Sequence, residues 1–223
     1  MIGPLVVSVV SIKEGKTNKL IKIGVRDSKF LTRKKMFFLY DEIYSLAEDV
    51  KTCAISNTEI NETMKNHISI NELEAFHFAK LIDELETEPK RVYLDSPDVK
   101  PERFGHRISL LSKKQLKVAG MKGKKGAQLP EQNPIKVISE HKADSRYPVV
   151  STASIIAKVT REREMEKIKE KLGIDIGSGY PSDKYTIDAI RNNLKNSKMG
   201  QYIREYWGTV RIVRQSRIED FIS

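Results

Sequence analysis

Val6, Val7, Val9, Val10 and Ile12 crowd β-branched and apolar side chains onto both faces of an extended segment, which predicts a central strand over residues 4–12. Glu14-Gly15-Lys16 turns the chain, and residues 20–25 read as a short extended piece leading into Asp27-Ser28-Lys29. Thr32 is suited to cap a helix in which Met36, Tyr40, Ile43 and Ala47 recur at three- and four-residue spacing. Residues 50–55 read as a second strand. Asn57, Asn61 and Asn66 mark a polar stretch without clear periodicity. A helix is expected over residues 71–85, with Leu73, Phe76, Ala79 and Ile82 on one side. Arg91-Val92-Tyr93-Leu94-Asp95 reads as a strand ending on an acid, stopped by Pro97 and Pro101, and residues 102–116 read as helical.

The second half repeats the alternation. Ile135, Val137 and Ile138 predict a strand over residues 135–139, followed by the polar turn His141-Lys142-Ala143-Asp144. A long helix is expected over residues 149–172, with Ile155, Val159, Ile168 and Leu172 inward and Arg161, Glu162, Lys167 and Lys169 outward. Beyond a glycine-rich turn at residues 177–183, residues 186–193 read as a helix. One or two more, holding Tyr202, Trp207 and Ile212, close the chain. Strands alternating with helices predict an α/β fold with a helical C-terminal region, divided as residues 1–172 and 173–223.

Composition narrows the class. Hydrophobic residues at 39% suffice for a core, and no apolar run approaches the roughly 20 residues of a membrane span. The apolar start lacks a basic leader, so a secreted protein is not expected, and the cytoplasm is the expected location. A single cysteine, Cys53, excludes an internal disulfide and a multi-cysteine zinc site. The net charge of +10 fits a polyanionic partner. Lysines 113, 114, 117, 122, 124 and 125, interrupted by Gly120 and Gly123, read as a mobile basic loop with the wrong glycine spacing for a phosphate loop.

Two acids stand where α/β proteins place chemistry. Asp95 and Asp144 each follow a predicted strand, and if those strands are parallel neighbours both carboxylates reach one sheet edge. Taken singly, Asp144 also reads as a helix cap and Asp95 as a turn former before Pro97. Lys29, with Ser28 and Thr32, sits where a loop enters a helix, a place suited to phosphate. Tyr180 lies between Gly179 and Pro181, either a ring for stacking or one packed under its own loop. Trp207 reads as a core anchor.

The wording of residues 140–158, EHKADSRYPVVSTASIIAK, closely resembles type 2 ribonucleases H (ribonuclease HII) in the form shared by archaea and eukaryotes. Asp27-Ser28-Lys29-Phe30-Leu31-Thr32 resembles that family's DSK-x-LT, and Gly177-Ser178-Gly179-Tyr180-Pro181-Ser182-Asp183 its GSGYPSD, in the same order. The resemblance implies a ribonuclease-H-like mixed sheet flanked by helices. It implies an endonuclease that hydrolyses the RNA strand of RNA–DNA hybrids, or ribonucleotides in duplex DNA, with two Mn²⁺ or Mg²⁺ ions, leaving 3′-hydroxyl and 5′-phosphate ends in the service of DNA replication and repair. Asp95 and Asp144 match its third and fourth carboxylates and are expected to bind metal. Ser28, Lys29, Thr32, Asn71 and Lys158 are expected at the substrate backbone, and Tyr180 on the sugar beside the ribonucleotide. A monomer is expected. The family's DEAGRG, carrying its other two carboxylates, precedes the segment matched by Ile2-Gly3-Pro4, and the sequence begins at Met1. The sequence as given is therefore expected to be short of a full ligand set, and a hybrid-binding module without cleavage stands as the alternative.

Overall fold

The structure of the chain, a computed structural model, describes residues 1–120, 134–193 and 196–222, with side chains as far as residue 215. It divides into two compact units, one formed by Val7–Cys53 with Asn71–Val159, the other by Met1–Val6, Ala54–Ile70 and Thr160–Ser223.

In the first unit, β1 (Leu5–Ser11) pairs with β2 (Asp49–Ile55). A separate sheet has the order β3 (Arg91–Asp95), β5 (Ile135–Glu140), β4 (Leu116–Val118). Both pairings on β5 are parallel, with Arg91 opposite Lys136, Asp95 opposite Glu140 and Val118 opposite Val137. Parallel strands must be joined by a crossover, and between β3 and β4 that crossover is α5 (Pro101–Leu111). Phe104 and Ile108 of α5 are fully buried with Val92, Val118 and Val137. Gly105 lets this helix approach closely, since a Cβ there would sit 3.1 Å from the Ser139 Cβ and 3.3 Å from a Val118 methyl. A second apolar cluster joins Val10, Leu20, Met36, Leu39 and Ile43 to Ile155, Ile156 and Val159.

Several elements differ from the pattern reading. Residues 20–25 are not extended. They lie at the end of α1 (Thr17–Ile23), closed by Gly24 at φ +96°, whose N–H donates to Ile21 and Leu20 carbonyls. A glycine in the left-handed region is a helix stop, and burial of Leu20 holds the turn. Next, α2 (Arg33–Leu46) starts on Thr32, which accepts from the Lys35 N–H at 3.2 Å. The asparagine-marked stretch is a helix, α3 (Asn57–Lys65), capped by Ser56 accepting from the Glu59 N–H at 3.1 Å. Ser56 with Glu59 has the spacing of a capping box, which the run of asparagines obscured.

In α4 (Ile70–Asp83), Ala75, Ala79 and Ile82 face the sheet core, while Phe76 is half exposed. Small residues bring the helix close to the strands, and one position of rotation turns Phe76 outward. The helix expected to reach residue 116 ends at Leu111, because Asp83 accepts from the Ser112 hydroxyl at 2.5 Å and the Lys113 N–H at 2.9 Å. That turn frees Leu116–Val118 to become β4, so the first part of the expected basic loop is a strand. Residues 121–125 of that loop lie outside the described residues.

Beyond β5, Lys142 at φ +55° turns the chain into the short α6 (Ala143–Arg146), followed by α7 (Pro148–Leu172).

The second unit packs Ile2, Met165, Ile168, Ile176, Ile190, Met199, Ile203 and Val210 into one core. Its helices include α8 (Lys184–Asn192), α9 (Ser197–Gly200) and α10 (Gly208–Ile222). Tyr202 and Trp207 lie in the turns before α10 and pack against this core, and Ile212 in α10 is exposed. Arg161 does not face outward. It donates to the Ser178 carbonyl at 3.1 Å and lies over the Tyr180 ring. No helix among the described residues is long and apolar enough to cross a membrane.

The crossover helix should carry much of the first unit's stability. Phe104→Ala, which empties a fully buried aromatic site, is expected to cost about 3–5 kcal/mol, measured by denaturant unfolding.

Candidate active site

Parallel pairing brings Asp95 and Asp144 together. Asp95 is the last residue of β3, opposite Glu140, the last residue of β5. The chain leaves β5 through His141 and Lys142 and presents Asp144 in the first turn of α6. The junction is closed by the Asp95 carboxylate itself, whose Oδ1 accepts from the Ala143 N–H at 3.0 Å. Asp144 is only 5% exposed. Its backbone carbonyl accepts from the Ser151 hydroxyl in α7, which ties the turn to the long helix.

Lys29 and Ser28 of the DSK segment, with Ser145 of α6 and Ser154 and Lys158 of α7, gather around these acids. Asp27 accepts from the Lys29 N–H at 3.0 Å through Oδ1, shaping the turn at residues 28–30. Its other oxygen accepts from the Ser145 hydroxyl at 2.9 Å. Lys29 then reaches Asp144, with Nζ 3.3 Å from Oδ2, and stands 3.9 Å from Asp27. The buried Ser28 shares a hydrogen bond with Ser154 at 3.0 Å and accepts from Lys158 Nζ at 2.6 Å. The result is a polar cluster of two ammonium groups and three carboxylates.

The charges act on one another. Although Asp95 stands at an accessible strand end, partial desolvation of its carboxyl, and then the neighbouring Asp144 charge, raise its pKa. The hydrogen bond to Asp144 raises Lys29, and the Lys29 N–H lowers Asp27. Lys158 is lowered by burial and by Lys29. A raised acid beside a second carboxylate is a place where added positive charge is favourable.

Thr32 and Asn71 are engaged differently. The Thr32 hydroxyl caps α2. Asn71 Nδ2 donates to Asp98 Oδ1 at 2.6 Å, and Asp98 also pairs with Arg107 at 2.9 Å. No hydrogen bond joins Asn71 to the Lys29–Asp144 group among the described contacts. Asp27, Ser145 and Ser154 also join the cluster, beyond the residues expected there. Asp27 was legible as the first letter of DSK, but its link to Ser145 spans 118 positions and has no local signal.

Tyr180 belongs to the second unit and is 48% exposed, with the Arg161 guanidinium 4.1 Å from its ring centroid. Its turn is rigid. Gly177 is at φ +62°, where a Cβ would meet Asp183 and Thr186, and Gly179 is at φ +79°. Asp183 caps α8 through the Tyr185 N–H at 3.0 Å, and also accepts from the Ser178 N–H at 2.6 Å and hydroxyl at 2.7 Å.

A mixed α/β architecture with a parallel sheet and carboxylates at one strand edge is that of the ribonuclease-H-like proteins, and solved structures agree. Bst-RNase HIII in complex with Mn²⁺ superposes with a TM-score of 0.73 at 18% identity, covering 96% of this chain and 65% of that one, which reports on fold alone. The ribonuclease H2 of Pyrococcus horikoshii superposes with a TM-score of 0.78 at 36% identity, covering 96% and 92%. The RNase HII of Archaeoglobus fulgidus, solved in a complex with PCNA, gives 0.75 at 35% identity, covering 92% and 88%. In sequence, the Pyrococcus horikoshii ribonuclease HII is 38% identical over 216 residues, covering 96% of this chain and 88% of that protein. The family model for Ribonuclease HII matches residues 1–210, and the chain belongs to the ribonuclease HII family, hydrolases that cleave RNA in RNA–DNA hybrids. None of these comparisons supports the alternative of a binding module without cleavage.

The turn bearing Tyr180 gives a pH test. Hydrogen bonds from Ser178 hold the Asp183 carboxyl down to about 2. A depressed acid stabilises the folded state above its unfolded pKa of about 4, and that stability is lost as pH falls from about 4 to about 2. Asp183→Asn should lower the melting temperature at pH 7 and flatten its fall across that window, read by thermal melts at stepped pH.

Proposed function

We propose that the chain is an endonuclease that hydrolyses the RNA strand of RNA–DNA hybrids and ribonucleotides embedded in duplex DNA, leaving 3′-hydroxyl and 5′-phosphate ends. The observation that carries this reading is the delivery of Asp95 and Asp144 to one edge of a parallel strand pair, with Lys29 against Asp144. Family membership supports it independently.

Carboxylate oxygens suit hard divalent cations such as Mg²⁺ and Mn²⁺. The donors fit in kind, since the charge of Asp144 already raises Asp95, a repulsion that a cation relieves. Among the described residues no group of three or more His, Cys, Asp or Glu side chains is placed to hold a metal. On this reading Asp95 and Asp144 would supply oxygen donors to the metal, and among the described residues they stand short of the four-carboxylate set that the resemblance implies. Two ions held in this way would neutralise charge at phosphorus and lower the pKa of the attacking water.

The chain's own groups do the positioning. Lys29, released from Asp144, is within reach of a phosphate oxygen, and Lys158 supports it through Ser28. Thr32 and Asn71 belong to the surface along the substrate backbone. Tyr180, steadied by Arg161, stacks its ring on the sugar at an RNA–DNA junction, beside the 2′-hydroxyl that marks the ribonucleotide. The protein acts as a monomer in the cytoplasm.

Cleavage of a labelled hybrid with Mn²⁺ or Mg²⁺, with the product ends identified, is the direct test. Asp95→Asn and Asp144→Asn are each expected to reduce cleavage by more than the roughly 100-fold seen when only supporting groups around metals are lost, with hybrid binding retained. Full activity in either variant would remove the carboxylates from the mechanism.

Tyr180→Ala is expected to lose cleavage at a single embedded ribonucleotide more than cleavage of an all-RNA strand, compared in one assay. Equal, small losses on both substrates would return Tyr180 to a packing role.

A further inference from the structure

Phe30 is 71% exposed, although it is held in well-formed backbone. It is not on a floppy loop. The Phe30 N–H donates to the Asp27 carbonyl at 3.0 Å, the Phe30 carbonyl accepts from Arg26 Nη2 at 3.0 Å, and the Leu31 N–H reaches the Ser28 carbonyl at 3.3 Å. Ser28, two positions earlier, is buried and tied to Ser154 and Lys158. The ring is thus presented outward by a turn braced on both sides.

Its neighbour in the chain is Lys29, whose amine lies against Asp144. Residues 26–35 contain five cations, Arg26, Lys29, Arg33, Lys34 and Lys35, and one acid, Asp27. That acid is buried, and both its oxygens accept hydrogen bonds. An exposed aromatic ring within a basic segment suits a nucleotide strand, whose phosphates meet cations and whose bases and sugars offer flat apolar faces. An apolar protein partner has no use for the surrounding charge. Val99, which is also well exposed, has Asp95 and Asp98 within four positions instead of a basic run.

We propose that Phe30 is a nucleic-acid contact, stacking on the nucleotide next to the phosphate neutralised by Lys29, and that it adds affinity independent of charge. The proposal rests on the hybrid-binding reading above.

The test measures binding of a fluorescent RNA–DNA hybrid by anisotropy, in EDTA so that no cleavage intervenes, across a salt series. The full chain is compared with Phe30→Ala, Phe30→Leu, Phe30→Trp and Lys29→Ala, each checked by thermal melt. Phe30→Ala is expected to melt like the parent and to bind about 5- to 150-fold more weakly, with the same slope of log affinity against log salt. Lys29→Ala should lower that slope by about one contact. Phe30→Leu should bind like Phe30→Ala. Phe30→Trp should keep the affinity, and its emission, after subtraction of the Trp207 signal, should be quenched by hybrid. Unchanged binding by Phe30→Ala, a changed salt slope in it, or parent-like binding by Phe30→Leu would each overturn the proposal while leaving the hybrid-binding reading intact. Failure of the parent chain itself to bind hybrid would overturn that reading, and this proposal with it.

Discussion

Everything chemical in this chain depends on two strands running the same way. Because β3 and β5 are parallel and in register from Arg91 with Lys136 to Asp95 with Glu140, both end at one edge. An antiparallel pair would put the end of β3 beside the start of β5. Asp95 and the turn holding Asp144 would then lie at opposite edges. The hydrogen bond from the Ala143 N–H to Asp95 secures the arrangement, since it uses one acid to hold the turn that carries the other. The pairing in turn depends on α5 covering the sheet, which is possible at such close range because Gly105 has no side chain.

Placing carboxylates together is unfavourable unless their charge is balanced. Here the balance comes from Lys29 at 3.3 Å from Asp144, and Lys29 is aimed by Asp27, whose carboxylate shapes the turn through the Lys29 N–H. Ser28 in the same turn is the only one of the three that faces inward to α7, where Ser154 and Lys158 receive it. A segment of three residues therefore joins the acidic edge to the long helix, and the side chain after it, Phe30, is left on the surface. The same logic governs the second unit. Asp183 organises the Gly177–Asp183 turn by accepting from Ser178, and Arg161 steadies Tyr180 from the helix side.

The main elements were legible in the sequence where local chemistry is strong. The β-branched run at Val6–Val10 and the strand-favouring Val92-Tyr93-Leu94 mark strands by their own packing preference, and Thr32 ahead of an amphipathic stripe marks a helix start. Where local signals compete, the reading failed. Gly24 ended a helix that its alternating apolar neighbours disguised as a strand, and Ser56 with Glu59 began one that asparagines disguised as a loop. Three-residue spacing puts Phe76 on one side with Leu73, Ala79 and Ile82, whereas tight packing against the sheet selects the face of Ala75, Ala79 and Ile82. Charge predicts an outward Arg161, yet its guanidinium is satisfied by the Ser178 carbonyl and the Tyr180 ring.

By itself, then, the sequence determined the alternation of strands and helices, the acid that ends β3 and the one in the turn after β5, and, through three motifs in order, the ribonuclease HII family. Those are properties of neighbours along the chain. The tertiary structure alone decided that β3 and β5 are parallel partners, that Lys29 crosses 115 positions to meet Asp144, and that Asn71 bonds to Asp98. Each is a contact between distant segments. Such contacts are set by how helices and strands pack around the buried cores, and no pattern of nearby residues encodes that geometry.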